Sequence, residues 1–72
     1  MEEISIQTDF IKLDSLLKFS ALVATGGEAK TMIQEGLVSV NGKVCTMRGK
    51  KIVSGDTVSF EGQKIRVIHE AR

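Results

Sequence analysis

The eight residues Val38-Ser39-Val40-Asn41-Gly42-Lys43-Val44-Cys45 leave this chain little conformational choice. Asn-Gly between alternating residues is the composition of a two-residue type I′ turn, because both central positions need positive φ and these two residues tolerate it best. The turn fixes a hairpin register in which Val40 opposes Lys43 and Val38 opposes Cys45. A second hairpin follows: Thr57 to Phe60 and Gln63 to Ile68 flank Glu61-Gly62, with Ser54-Gly55-Asp56 as turn chemistry ahead of them. If Phe60 opposes Gln63, then Val58 opposes Ile65. Val58, Phe60, Ile65 and Val67 then share one face, and Lys64 and Arg66 the other. Glu3 to Thr8 alternates as well, with Ile4 and Ile6 on one side, and predicts a further short strand.

Between that strand and the first hairpin the period changes. From Ile11 onward, Leu13, Leu16, Leu17, Ser20 and Ala21 recur at three- and four-residue intervals, which predicts the inner stripe of an amphipathic helix. Asp14 falls in its first turn, and Lys12 and Lys18 point outward. Thr25 followed by Glu28 has the spacing of a capping box and marks a second helix of about ten residues. Ala29, Met32 and Ile33 supply its buried stripe, Lys30 and Gln34 face solvent, and Gly36 ends it in a left-handed conformation. Two helices with four or five short strands predict an α+β fold. No linker, repeat or low-complexity segment divides it, so residues 1–72 are expected to form one domain.

A chain of 72 residues buries only about 60% of the surface its unfolded form exposes, which leaves a thin core and no room for a deep active site. Hydrophobic content of 42% and charged content of 26% are those of an ordinary globular domain. The longest apolar run, Ala21-Leu22-Val23-Ala24, falls far below the roughly 20 residues a membrane span needs, and Glu2 and Glu3 stand where a signal peptide would be basic. A cytosolic location is therefore expected. Cys45 is the one cysteine and His69 the one histidine, so neither a disulfide framework nor a zinc site of familiar spacing can be assembled. Cys45 is expected to be a small buried hydrophobe. No cysteine–histidine or serine–histidine–acid spacing occurs, and Asp9, Asp14 and Asp56 are scattered. Gly49-Lys50-Lys51 lacks the glycine of a nucleotide-binding loop, Val44 standing in its place. The expectation is a non-enzymatic protein with no cofactor and no metal.

Charge is unevenly distributed. Residues 1–36 carry six acids and three bases, whereas residues 37–72 carry three acids and seven bases, for a net charge of +1. Lys43, Arg48, Lys50 and Lys51 lie in a stretch from Val38 to Ser54 that contains no acid, and Met47 to Lys51 reads as a basic loop. Upstream, Thr25-Gly26-Gly27-Glu28-Ala29-Lys30 is a helix start with bare backbone amides. Such a start carries partial positive charge and accepts phosphate directly on the peptide backbone. The same string also serves as a capped turn between packed helices, and Glu28 competes for the positive end. If helix start and basic loop share a surface, a nucleic-acid backbone is its natural ligand. The aromatics are Phe10, Phe19 and Phe60, with no Tyr or Trp. All three are expected in the core, which removes a stacking platform for single strands and shifts the expected target to folded RNA read through its backbone.

The order of these features resembles a known family. Lys12-Leu13-Asp14 with Leu17, then Thr25-Gly26-Gly27-Glu28-Ala29-Lys30, Ile33, Gly36, Val38-Ser39-Val40-Asn41-Gly42 and Gly55-Asp56 are similar to the RNA-binding domain named after the fourth protein of the small ribosomal subunit. The likeness is closer still to its small stand-alone bacterial branch, of YaaA and YbcJ type, and covers about residues 4–68. The resemblance implies a two-helix αL-type RNA-binding motif packed on a small, mostly antiparallel sheet. It also implies an RNA surface made of Lys12, Lys18, Thr25, Gly26, Gly27, Lys30, Asn41, Lys43, Arg48, Lys50 and Lys51, with Gly36 and Gly42 architectural. The partner implied is structured RNA, ribosomal RNA included, with a protein partner in ribosome assembly or RNA metabolism as a further expectation. Where the wider family usually has an arginine after the capping residue, this chain has Gly26, as the stand-alone branch does, so the same RNA is not implied. Two rival expectations are a module that docks by its sheet edge on a larger protein, and an accessory subunit delivering RNA to a modifying enzyme.

Overall fold

The structure, a computed structural model, describes residues 2–70. Its elements in chain order are β1 (Glu2–Ile6), β2 (Ile11–Lys12), α1 (Leu13–Phe19), α2 (Gly26–Gln34), β3 (Val38–Val40), β4 (Lys43–Val44), β5 (Lys51–Ile52), β6 (Thr57–Phe60) and β7 (Gln63–His69). Five strands form one mixed sheet in the order β1-β7-β6-β3-β4, and β2 pairs with β5 in a separate two-stranded ribbon. Within the large sheet β1 runs parallel to β7 and every other pairing is antiparallel. The result is a single small α+β domain. None of its described helices is long and apolar enough to cross a membrane.

Both hairpins take the register that their turns dictate. Val40 opposes Lys43, Phe60 opposes Gln63 and Val58 opposes Ile65. The Cys45 amide continues the first ladder by donating to the Val38 carbonyl at 2.9 Å. Asn41 and Gly42 have φ of 52° and 84°, and Glu61 and Gly62 have 50° and 79°, so both turns place two successive residues at positive φ as a type I′ turn requires. Val38 then lies beside Phe60 and Val40 beside Val58, which joins the hairpins through β3 and β6.

The core forms where the inner faces of the helices meet one face of the sheet. Leu13, Leu16 and Leu17 of α1, Ala29 and Ile33 of α2, and Val38, Val58, Phe60 and Val67 of the sheet are all buried. The opposite face of the sheet carries exposed Lys64 and Arg66 beside half-buried Ser39, Thr57 and Ser59. Cys45 is half-buried against the core, as a small apolar side chain would be.

Several expectations need correction. β1 stops at Ile6, short of Thr8. The helix expected from Ile11 begins only at Leu13, because Ile11 and Lys12 are extended and pair with Ile52 and Lys51. It also ends earlier, at Phe19, so Ser20 and Ala21 do not extend its inner stripe; Ala21 is exposed with φ of 64°. The Ala21 amide donates to the Lys18 carbonyl and Leu22 to Leu17, which is the paired bonding of a Schellman end with alanine where glycine is usual. α2 ends likewise, Gly36 donating to Ile33 and Leu37 to Met32 around a Gly36 φ of 78°. Of the three phenylalanines only Phe60 is in the core: Phe10 is 36% and Phe19 63% exposed.

Candidate nucleic-acid interface

The start of α2 is capped from within, but incompletely. Thr25 Oγ1 accepts from the Glu28 amide at 3.1 Å. Glu28 Oε1 accepts in turn from the Ala24 amide at 3.1 Å, one residue earlier than a standard capping box would have it. The carboxylate is therefore turned back over the incoming chain. Gly26 and Gly27, at the first two helical positions, lie ahead of the first amide that an intrahelical carbonyl can serve, that of Ala29 bonded to Thr25. Neither glycine has positive φ. A Cβ on Gly26 would meet nothing within 4 Å, and one on Gly27 would meet only Thr25 Oγ1 at 4.0 Å. Neither conformation nor packing calls for glycine here, although glycine weakens a helix relative to alanine. What the pair does supply is an exposed, uncluttered edge of backbone amides. Lys30 stands four residues after Gly26 and three after Gly27, on the same helical face, and is exposed.

The basic loop is anchored to the start of α1. The β2–β5 ribbon sets Lys12 opposite Lys51. The Leu13 amide donates to the Lys50 carbonyl at 2.9 Å and the Asp14 amide to the Arg48 carbonyl at 3.1 Å. The loop's backbone thus closes the α1 start, while the side chains of Arg48, Lys50 and Lys51 remain exposed. Lys51 Nζ sits 4.8 Å from the centroid of the Phe10 ring, within cation–π range. Two lysines directly opposite on a ribbon repel each other unless an anion is shared between them. Lys43, at the β3–β4 turn, lines a shallow groove together with Lys50 and Met47.

The residues expected from the sequence fall into two groups with α1 between them. Lys12, Lys43, Arg48, Lys50 and Lys51 gather by the α1 start. Thr25, Gly26, Gly27 and Lys30 lie beyond its other end, where the Leu22 and Val23 amides both donate to the Leu17 carbonyl. Lys18, in the last turn of α1, lines a groove with Ser15, Phe19 and the end of β1. The helix has seven residues, and at about 1.5 Å per residue it spans about 10 Å. Asn41 lines the same groove as Lys43 and Lys50, together with Asp56, and its side chain is engaged there: its Nδ2 donates to Asp56 Oδ1 at 3.0 Å, and its Oδ1 accepts from the Thr57 amide at 2.9 Å. That side chain ties the first hairpin to the turn before β6. Phe10 was not anticipated as a site residue, and only the exposure of its ring beneath Lys51 reveals it.

Residues 4–68 match the S4 domain. The chain belongs to the S4-domain family. Among similar proteins, this S4 domain is 43% identical over 58 residues to YbcJ of Escherichia coli, a protein named as a candidate for RNA binding, covering 81% of this chain and 83% of YbcJ. It is 41% identical over 59 residues to RlbA of Bacillus subtilis, named as a candidate ribosome maturation protein, covering 82% of this chain and 83% of RlbA. The solution structure of YbcJ, described as revealing an αL motif involved in RNA binding, superimposes with a TM-score of 0.73 at 39% identity, over 94% of this chain and 87% of that one. The S4 domain described here shares that architecture.

Proposed function

We propose that this S4 domain is a non-catalytic RNA-binding protein of the cytosol that grips folded RNA, such as ribosomal RNA, through its phosphates. The α2 start contributes backbone amides with Lys30, and the ribbon and loop contribute Lys12, Lys43, Arg48, Lys50 and Lys51. Lys18 of α1 is a further contact. The observation that carries this reading is the glycine pair at the α2 start, which neither packing nor backbone conformation requires. The names of YbcJ and RlbA support the same reading. Asn41 belongs to the interface as the residue that holds the hairpin in place.

Binding of the purified chain to a panel of structured RNAs across salt concentrations tests the reading. Reversing Lys50 and Lys51 to glutamate is expected to weaken every interaction and to flatten the log–log salt slope by about 2, one duplex phosphate contact being worth roughly 0.9. Absence of binding at low salt, or indifference to the double reversal, would sink the proposal.

A second reading, docking on a protein partner along β4, is favoured by the exposed side chains of Val44, Met47 and Leu37 around that edge. Co-purification with a partner that survives both nuclease treatment and the double lysine reversal would favour it.

A further inference from the structure

Phe19 is the last residue of α1 and the most exposed of the three phenylalanines, at 63%. Burying a phenylalanine is among the larger single gains open to a small core, so an aromatic ring left in water needs another explanation. It lines an open groove between the end of β1 and the outer side of α1. Ile6 and Ile11 give the groove an apolar floor. Gln7 and Ser15 add an amide and a hydroxyl that both donate and accept, and Lys18 sets a cation on the rim. An aromatic face, an apolar floor, a two-way hydrogen-bonding edge and an ammonium are the four things an unstacked nucleotide requires: a surface for its ring, partners for its base edge and a charge for its phosphate. The groove adjoins the proposed interface through Lys18, which lines it and is among the residues proposed to contact RNA.

We infer that this groove receives a single unpaired base of the bound RNA, stacked on Phe19 with its flanking phosphate on Lys18. The inference rests on the RNA-binding reading and sharpens it: the ligand is a folded RNA with a bulged or looped-out nucleotide beside its helix, not an uninterrupted duplex. Phosphate contacts at the α2 start and basic loop position the RNA, and the groove selects for the extruded base.

Three short hairpin RNAs test this with the full chain: one fully paired, one carrying a single unpaired adenosine, and one in which that nucleotide lacks its base. The chain contains no tryptophan or tyrosine, so Phe19→Trp places a lone fluorophore in the groove. Its emission is expected to be quenched by the bulged hairpin and not by the paired or baseless ones. Phe19→Ala should bind the bulged hairpin about 5- to 150-fold more weakly, the range one stacked base carries. Binding of the paired hairpin and the melting midpoint should be unchanged, because little of the ring is buried. Equal quenching by all three RNAs, or a Phe19→Ala variant that binds the bulged hairpin as well as the parent, overturns the base site. If the double lysine reversal still weakens binding in that case, the RNA-binding reading stands. No binding of any hairpin at low salt overturns both. A Phe19→Ala variant silent on RNA that releases a co-purifying protein assigns the groove to a protein side chain instead and likewise overturns the inference.

Discussion

Asn41 shows how one side chain can serve a turn and a tertiary contact together. Its backbone sits at φ of 52°, and its amide reaches across to Asp56 and Thr57. Alanine at this position would lose two exposed hydrogen bonds, each contributing about 0.5–1.5 kcal/mol, and would hold a left-handed conformation that costs about 1–2 kcal/mol for a residue with a Cβ. Asn41→Ala is therefore expected to destabilise the domain by roughly 2 kcal/mol, lowering the melting midpoint by about 10 °C in a chain of this size. Asn41→Gly removes the bonds but keeps the turn, and should lie between the two. If both variants melt like the parent and differ from it only in RNA affinity, Asn41 is a direct RNA contact and its role as a tie is wrong. Phe10 works on a comparable scale: its ring beneath Lys51 restricts where that ammonium can go. Neither role was legible in the sequence, since each depends on a partner ten or more residues away.

At the scale of elements, the α2 start separates stability from binding more cleanly than any other part of the domain. Replacing Gly26 and Gly27 together by alanine introduces no clash. It removes conformational freedom from the unfolded chain and raises helix propensity by up to about 1 kcal/mol at each position. The double variant is expected to melt at or above the parent temperature while binding RNA more weakly, because two methyl groups then cover the amide edge. An RNA affinity equal to the parent's would show that phosphates do not sit there. This helix and both hairpins were legible because each carries local punctuation: Thr25 with Glu28, Gly36, Asn41-Gly42 and Glu61-Gly62. The β2–β5 ribbon was not, because two-residue strands are too short to display a period and their pairing joins positions forty residues apart. The early end of α1 was hidden for a different reason. Its left-handed cap is Ala21, a residue that carries no turn signal, set among apolar neighbours that prolong the helical pattern. Phe19 is expected in the core only as an aromatic, not by the helical stripe, which passes through Leu16, Leu17 and Ser20; in the structure it is exposed.

For the whole molecule, a net charge of +1 conceals a local excess of cations near the start of α1, where Lys12, Arg48, Lys50 and Lys51 outnumber the one acid of that helix, Asp14. Such a protein should bind RNA steeply at low salt and release it readily as salt rises. For about five neutralised phosphates, the slope of log affinity against log salt is expected to be roughly −4 to −5. A slope near zero would mean that apolar contacts, not phosphates, hold the complex. The face distribution predicted for β6 and β7 is observed, and so is the overall α+β architecture. Parallel pairing between β1 and β7 could not be foreseen, because alternation reveals that a strand exists but not which neighbour it takes. That pairing has a consequence in time. Glu2 lies beside Ile65 and Ile6 beside His69, so β1 gains its sheet partner only after β7, more than sixty residues further along the chain, has been made. Until then Ile4 and Ile6 have no β7 beside them, whereas the β3–β6 and β2–β5 pairings need only residues up to Phe60. Closure of the sheet is a contact across more than sixty residues, the pairing in this fold with the largest sequence separation and therefore the largest loop-closure cost.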